Sequence, residues 1–143
     1  MITVELARPI DNAWVQILHN KEFDEITIDE YLQWISQRNR RVYVMRRYDN
    51  KVGFAFVRLR HDATTICKIA VNSYFRRQGI ATEAVRLIAA KHGKRLTRAA
   101  AKEPDAIAQD FFRSLGMRLK ILDGKPGERF WIFETTNKER AKR

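Results

Sequence analysis

Apolar and polar positions alternate through Ile2-Thr3-Val4-Glu5-Leu6, which is the period of a half-buried strand. Pro9 then suits the first turn of a helix that sets Trp14, Ile17 and Leu18 on one face. An acidic passage from Glu22 to Glu30 leads into a second helix. Thr27 is its N-cap, Glu30 stands three residues on, and Tyr31, Leu32, Trp34 and Ile35 supply the apolar stripe. Strands follow over residues 41–48, 52–59 and 64–71, joined by turns at Asp49-Asn50-Lys51 and His61-Asp62, so the middle of the chain is an antiparallel meander. A helix from Gly79 to about Lys91 carries Ala81, Ala84, Val85, Ile88 and Ala89 inward and stops at Gly93. The short strand over 95–100 comes after strand and helix, an order that makes it parallel to the strand ending at Val71. Pro104 opens a further helix with Ile107, Ala108, Phe111, Phe112 and Leu115 toward the core and Gly116 at its end. A closing hairpin pairs residues 117–122 with 129–134 across 123–127.

The pattern predicts an α+β, three-layer architecture: a mixed central sheet of about seven strands with helices on both faces. A chain of 143 residues, 45% hydrophobic, suffices for one core, so residues 1–136 are read as a single domain and 137–143 as a basic C-terminal tail. No apolar run approaches a membrane-spanning length and the N-terminus lacks the layout of a signal peptide. Cys67 is the single cysteine, which rules out an internal disulfide. The expectation is a cytoplasmic protein without membrane association.

Charge alters this picture. The net charge of +11 is divided unequally. Up to Gln37 two basic residues stand against seven acidic ones, a balance of −5, and from Arg38 onward the balance is +16. Such a field attracts anions and repels cationic partners. The acidic passage is read as a solvated loop, the alternative being a place beside an incoming amine.

Candidate chemistry lies between the third meander strand and the next helix, in Ile69-Ala70-Val71-Asn72-Ser73-Tyr74-Phe75-Arg76-Arg77-Gln78-Gly79-Ile80-Ala81. A strand end, a basic loop and a helix N-terminus together make an anion site, because the first amides of a helix have no intrahelical partner. Gly79 admits close approach to the backbone, and Arg76, Arg77 and Gln78 surround the cradle with donors. No Gly-Lys-Ser/Thr follows, which argues against a nucleotide P-loop, and a dinucleotide fingerprint needs more glycines.

The spacing Arg-x-x-Gly-x-Ala after an apolar strand resembles the pyrophosphate loop of the GNAT N-acetyltransferase superfamily. Ala108-Gln109-Asp110-Phe111-Phe112-Arg113-Ser114-Leu115-Gly116-Met117 is similar to that family's Ala-x-x-x-Tyr-x-x-x-Gly-Phe helix end, and the element order matches over nearly the whole chain. The resemblance implies acetyl-CoA as co-substrate, no metal, and transfer of the acetyl group to an amine acceptor by direct attack. By the same resemblance Ile69, Ala70 and Val71 present backbone to the pantetheine arm, and Arg76, Arg77, Gln78, Gly79, Ile80, Ala81 and Thr82 hold the pyrophosphate. One main-chain amide near Ile69 or Val71 polarises the thioester carbonyl. Phe112 takes the position where many relatives place a tyrosine that protonates the departing sulfur, and Thr65 lies near where some carry a glutamate base. General acid and base are therefore unassigned, with Tyr74 and Ser114 (or water) as candidate acids and Glu103, Asp105 and His61 as candidate bases.

Charge argues against a lysine-rich acceptor and favours a small molecule, an acidic protein or nucleic acid. Two alternatives to the acyltransferase stay open. One is a member of the fold that binds or modifies nucleic acid, as the phage Mom proteins do. The other is a CoA-binding module without catalysis. A homodimer is compatible with the sequence.

Overall fold

The computed structural model describes residues 1–136. The elements run β1 (Thr3–Leu6), a 3-10 turn (Pro9–Asp11), α1 (Asn12–Glu22), α2 (Ile28–Ile35), β2 (Arg40–Arg47), β3 (Asn50–Leu59), β4 (Ala63–Val71), a second 3-10 turn (Ser73–Phe75), α3 (Ile80–His92), β5 (Leu96–Lys102), α4 (Ala106–Ser114), β6 (Arg118–Asp123) and β7 (Phe130–Thr136). The seven strands form one sheet in the order β1-β2-β3-β4-β5-β7-β6. Every pairing is antiparallel except β4 with β5, where α3 makes the crossover. The basic tail assigned to 137–143 lies outside the described residues.

Alternation along the central strands divides the core into two layers. On β2, Tyr43 and Met45 join Ala55, Val57 and Ile66 under α3 (Ile80, Ala84, Ile88) and α4 (Phe112). Their neighbours Val42 and Val44 turn to the opposite face and join Phe54, Phe56 and Ala70 under α1 (Val15, Leu18) and Tyr31 of α2. Strands covered on both faces read as unbroken apolar runs, which is why residues 42–45 and 52–57 look continuous in the sequence.

Caps fix the helix starts. Thr27 Oγ1 accepts from the Glu30 N–H at 3.1 Å and Glu30 Oε1 accepts from the Thr27 N–H at 3.0 Å, so the expected capping box is present. Two starts differ from expectation. Pro9 opens only a 3-10 turn, and α1 proper begins at Asn12. Pro104 stands outside α4, because Asp105 is the residue whose Oδ1 accepts from the Ala108 N–H at 3.0 Å. Strand β5 runs two residues beyond the expected Ala100, held by Ala101↔Trp131 and Lys102↔Phe130 against β7. Among the described residues no helix is long and apolar enough to cross a membrane.

Candidate active site

The site begins with a missing partner. Strands β4 and β5 pair only from Ala63↔Leu96 to Ile66↔Ala99, yet β4 continues to Val71 and β5 to Lys102. Against β3, Phe56 faces Lys68 while Val57 faces Ile66, which leaves Cys67 as an extra residue in β4. A bulge of this kind bends its strand and raises the twist. Strand β4 therefore swings away from β5 at the residue where their pairing ends.

The phase of the β3–β4 ladder decides what faces the opening. Asn72 donates its N–H to the Val52 carbonyl at 2.7 Å. Gly53/Val71 and Ala55/Ile69 are then the non-hydrogen-bonded pairs of an antiparallel ladder, and the N–H and C=O groups of Ile69 and Val71 point away from β3. They point into the space that β5 has left, where the Val71 carbonyl accepts from Arg76 Nε at 3.2 Å. Ala70 also borders this space, but the same phase turns its amide and carbonyl back to Phe54. Gly53 keeps the two strands close: a Cβ there would stand 2.5 Å from the Ala70 carbonyl oxygen and 3.3 Å from Val71 Cα.

A cleft of about 620 Å³ fills the gap. Its floor and walls include Ile69, Val71, Phe75, Gly79, Ile80, Phe111 and Phe112, and its far end is the N-terminus of α3. Gly79 is the N-cap of that helix at φ +75°, a left-handed backbone that a side chain would strain, and a Cβ on it would meet nothing within 4 Å. Its carbonyl accepts from the Glu83 N–H, so the amides of Ile80, Ala81 and Thr82 are the orphan donors of the first turn. Arg77 also adopts a left-handed backbone, at φ +63°. Arg76 and Arg77 line the cleft.

The expected site residues separate here. Ile69, Ala70, Val71, Arg76, Arg77, Gly79, Ile80, Ala81, Thr82, Phe112 and Asp105 border one cleft. Gln78 does not, since its Oε1 accepts from Arg47 Nη1 on β2. Of the candidate acids, Tyr74 is 87% exposed and Ser114 Oγ donates to the Phe111 carbonyl at 2.5 Å; neither side chain borders the cleft. Glu103 also lies apart. Its Oε2 accepts from the Gly127 N–H at 2.6 Å and Oε1 meets Arg129 Nε at 3.4 Å, so it ties β5 to the β6–β7 loop. Burial works to raise its pKa, but the Gly127 and Arg129 amides and the Arg129 charge outweigh that and hold the carboxyl below its ordinary value. His61 is exposed in the turn at the opposite end of β4, and Thr65 is buried in the paired part of β4 against Arg98. Asp105 stays at the cleft but is already engaged as the α4 cap.

Other residues enter that the sequence pattern did not single out. Glu22 lines the cleft and pairs with Arg76, and Asp24 pairs with Lys102 Nζ at 2.8 Å. Both belong to the acidic passage read as a solvated loop; in the structure they tie the end of α1 and the segment after it to the α3 loop and to β5. Beside them His19, fully buried, meets Lys68 Nζ through Nε2 at 2.7 Å, while Nδ1 lies 3.0 Å from Asn20 Oδ1. Neutral imidazole satisfies both contacts, with Nδ1–H donating to Asn20 and Nε2 accepting from Lys68. Burial first, and then the Lys68 charge, hold His19 below its ordinary pKa. Burial, then the Lys102 charge, do the same to Lys68. Lys68 Nζ also sits 5.5 Å from the centroid of Phe23, a cleft residue.

Comparison with known proteins agrees with this fold. No curated protein matches the chain in sequence. An acetyltransferase from Thermus thermophilus superposes with a TM-score of 0.79 at 18% identity, covering 95% of this chain and 97% of that one. The ribosomal-protein-S18-alanine N-acetyltransferase of Escherichia coli gives 0.73 at 15% identity over 95% and 94%. A GNAT family acetyltransferase from Elizabethkingia anophelis, solved with acetyl-CoA bound, gives 0.69 at 14% identity over 94% and 97%. These establish the shared fold. The acetyltransferase (GNAT) family profile matches residues 9–117, a span that runs from the first 3-10 turn through the splayed strands to the end of α4, and the chain belongs to that family.

Proposed function

We propose that this GNAT acetyltransferase binds acetyl-CoA along the open edge of β4 and passes the acetyl group to an amine by direct attack. The carrying observation is the unpaired edge itself. The Ile69 and Val71 amides and the Ile69 carbonyl face an extended ligand arm as a neighbouring strand would, while the Val71 carbonyl is held by Arg76. The orphan amides of Ile80, Ala81 and Thr82, with Arg76 and Arg77, suit a diphosphate at the head of α3. Bound acetyl-CoA supplies the activated thioester. An N–H of Ile69 or Val71 aimed at the carbonyl oxygen stabilises charge developing there, worth about 3–4 kcal/mol in comparable sites.

The rest of the chemistry is electrostatic. A half-buried Lys68 with Lys102 close by favours the unprotonated, nucleophilic form of an arriving amine, as a like charge does to any titrating cation. Phe112 cannot donate a proton. The departing thiolate, with a conjugate acid near 8.5 in model thiols, leaves without a side-chain acid or with water as donor. The single half-buried Cys67 suits a reducing, cytoplasmic setting.

We assign the acceptor to anionic or neutral amines, a small molecule or an acidic protein, on the strength of the +11 charge. A nucleic-acid acceptor is the second reading on the same charge. It requires duplex or tRNA affinity that falls steeply with salt. A homodimer is compatible with either. The test of the main reading combines melting and turnover: acetyl-CoA raises the melting temperature of the wild type, and free CoA thiol is released when an amine panel is added. A melting shift without release on any amine would instead identify a binding module.

A further inference from the structure

On the face of the sheet covered by α1 and α2, three arginines stand in one line across the strands. Arg40 lies opposite Arg58, Arg58 opposite Thr65, and Thr65 opposite Arg98. Directly opposed residues share a face, and neighbouring strands are about 4.8 Å apart, so Arg40 to Arg98 is a row about 14 Å wide. Like charges directly opposite one another are unfavourable in a sheet. This sequence nevertheless puts two arginines there, and all three side chains are half-buried. Arg40 stacks over Trp34 at 5.1 Å and Arg98 Nε pairs with Glu134 at 2.8 Å. Arg58, between them, makes no ion pair among the described residues, and its buried Nε has no hydrogen-bond partner. A buried donor left unsatisfied is rare, and a bound anion or an ordered water would complete it.

We propose that this row is the anchor for a carboxylate or phosphate on the acceptor, so that the substrate is an amine carrying an anion at a fixed distance. This deepens the acyl-transfer reading above and rests on it. Four residues of β4 separate Thr65 from Ile69, about 13 Å at 3.3 Å per residue and less where the Cys67 bulge bends the strand. Amine and anion in the acceptor are therefore about 10–13 Å apart, the reach of three to four extended peptide units. The track between them is basic or small: Cys67 and Lys68 on β4, Ala100 and Lys102 on β5. On this face α1 and the segment after it reach the track at Lys68, through His19, and at Lys102, through Asp24, and no helix packs extensively over the β5–β7–β6 half among the described residues.

The experiment measures binding to the CoA-saturated protein by calorimetry. The probes are three lysine-free tetrapeptide amides with a free N-terminal amine: Ala-Ala-Ala-Glu, Ala-Ala-Ala-phosphoserine and Ala-Ala-Ala-Gln. A charge-assisted contact with Arg58 makes at least one anionic probe bind about tenfold or more tightly than the glutamine probe at low salt. The stronger of the two anionic probes then identifies carboxylate or phosphate as the natural group. Arg58→Gln removes the preference, and Arg98→Gln, which also frees Glu134, weakens it. In turnover assays the loss falls on KM for the anionic probe rather than on kcat. Equal affinities for all three probes, no binding of any, or a preference that survives both substitutions would overturn the proposal. If the acetyl-CoA melting shift is intact in that experiment, only the anionic acceptor is lost. If the shift itself is absent, the acyl-transfer reading fails first.

Discussion

Gly79 and Phe112 show how far a single position determines this site. Gly79 holds φ +75° at the cap of α3, with free space where its Cβ would be. Gly79→Glu adds about 1 kcal/mol of backbone strain and places a carboxylate where a diphosphate must bind. The apo protein should melt only a few degrees lower, while the melting shift produced by acetyl-CoA disappears; a shift of wild-type size would remove the diphosphate from the head of α3. Phe112 is 2% exposed, packs 5.9 Å from Phe133 and borders the cleft. Phe112→Tyr restores a hydroxyl donor at little steric cost. If thiolate departure limits turnover, kcat rises by up to about tenfold, less than the roughly hundredfold or more of a fully positioned general acid because a thiolate already leaves readily, with KM for acetyl-CoA little changed. Gly79 is legible in the sequence from its place between a basic loop and a helix start, whereas Phe112 reads locally as a core residue and stands out only through the family resemblance. Glu22–Arg76 and His19–Lys68 are not, since their partners are 54 and 49 residues apart and no short pattern links them.

At the level of elements the sequence specifies nearly everything, through two kinds of signal. Alternation and capping residues place the strands and helices to within a residue or two at most boundaries, and strand–helix–strand order makes β4 and β5 parallel. The splay itself is implied only by resemblance, because a bulge at Cys67 has no composition of its own; it follows from the register of β3 against β4. Similarly, Pro104 reads as a helix start, whereas the side chain able to accept a hydrogen bond belongs to Asp105. Gly53 tests the element directly. Its missing Cβ lets β3 lie against Ala70 and Val71, and Met45 Sδ would also be only 2.9 Å from an added methyl. Gly53→Ala should therefore destabilise the fold by about 1–3 kcal/mol, the usual cost of overpacking, and displace the edge of β4. Urea unfolding reads the first effect. Acetyl-CoA affinity, measured well below the unfolding midpoint, reads the second and falls with it. A stable Gly53→Ala protein with unchanged affinity would show that β4 is free to move without consequence for the site.

The whole molecule is a strongly basic protein whose one fully buried carboxylate among the described residues is neutralised by basic neighbours. That residue is Asp11: fully buried, it accepts from the Arg8 N–H at 2.9 Å and meets Arg46 Nη2 at 3.0 Å and Lys51 Nζ at 3.1 Å. The cluster joins the 3-10 turn to β2 and β3 and so fixes the first layer of helices on the sheet. Burial works to raise its pKa, but the Arg8 amide, Arg46 and Lys51 together outweigh it and hold the carboxyl at about 2, against an ordinary 3.8. A depressed acid contributes stability above its unfolded pKa and loses it as pH falls toward the folded one. The contribution is about 2 kcal/mol at neutral pH, fully present above about pH 4 and gone near pH 2. Asp11→Asn lacks it at every pH and also leaves Arg46 without its buried counter-charge. Melting curves of the two proteins should therefore lie well apart at pH 7 and draw together between about pH 4 and pH 2, where the wild type loses what the variant never had. A separation that stays constant over that range would mean that packing around Asp11, and not its charge, holds the helices to the sheet.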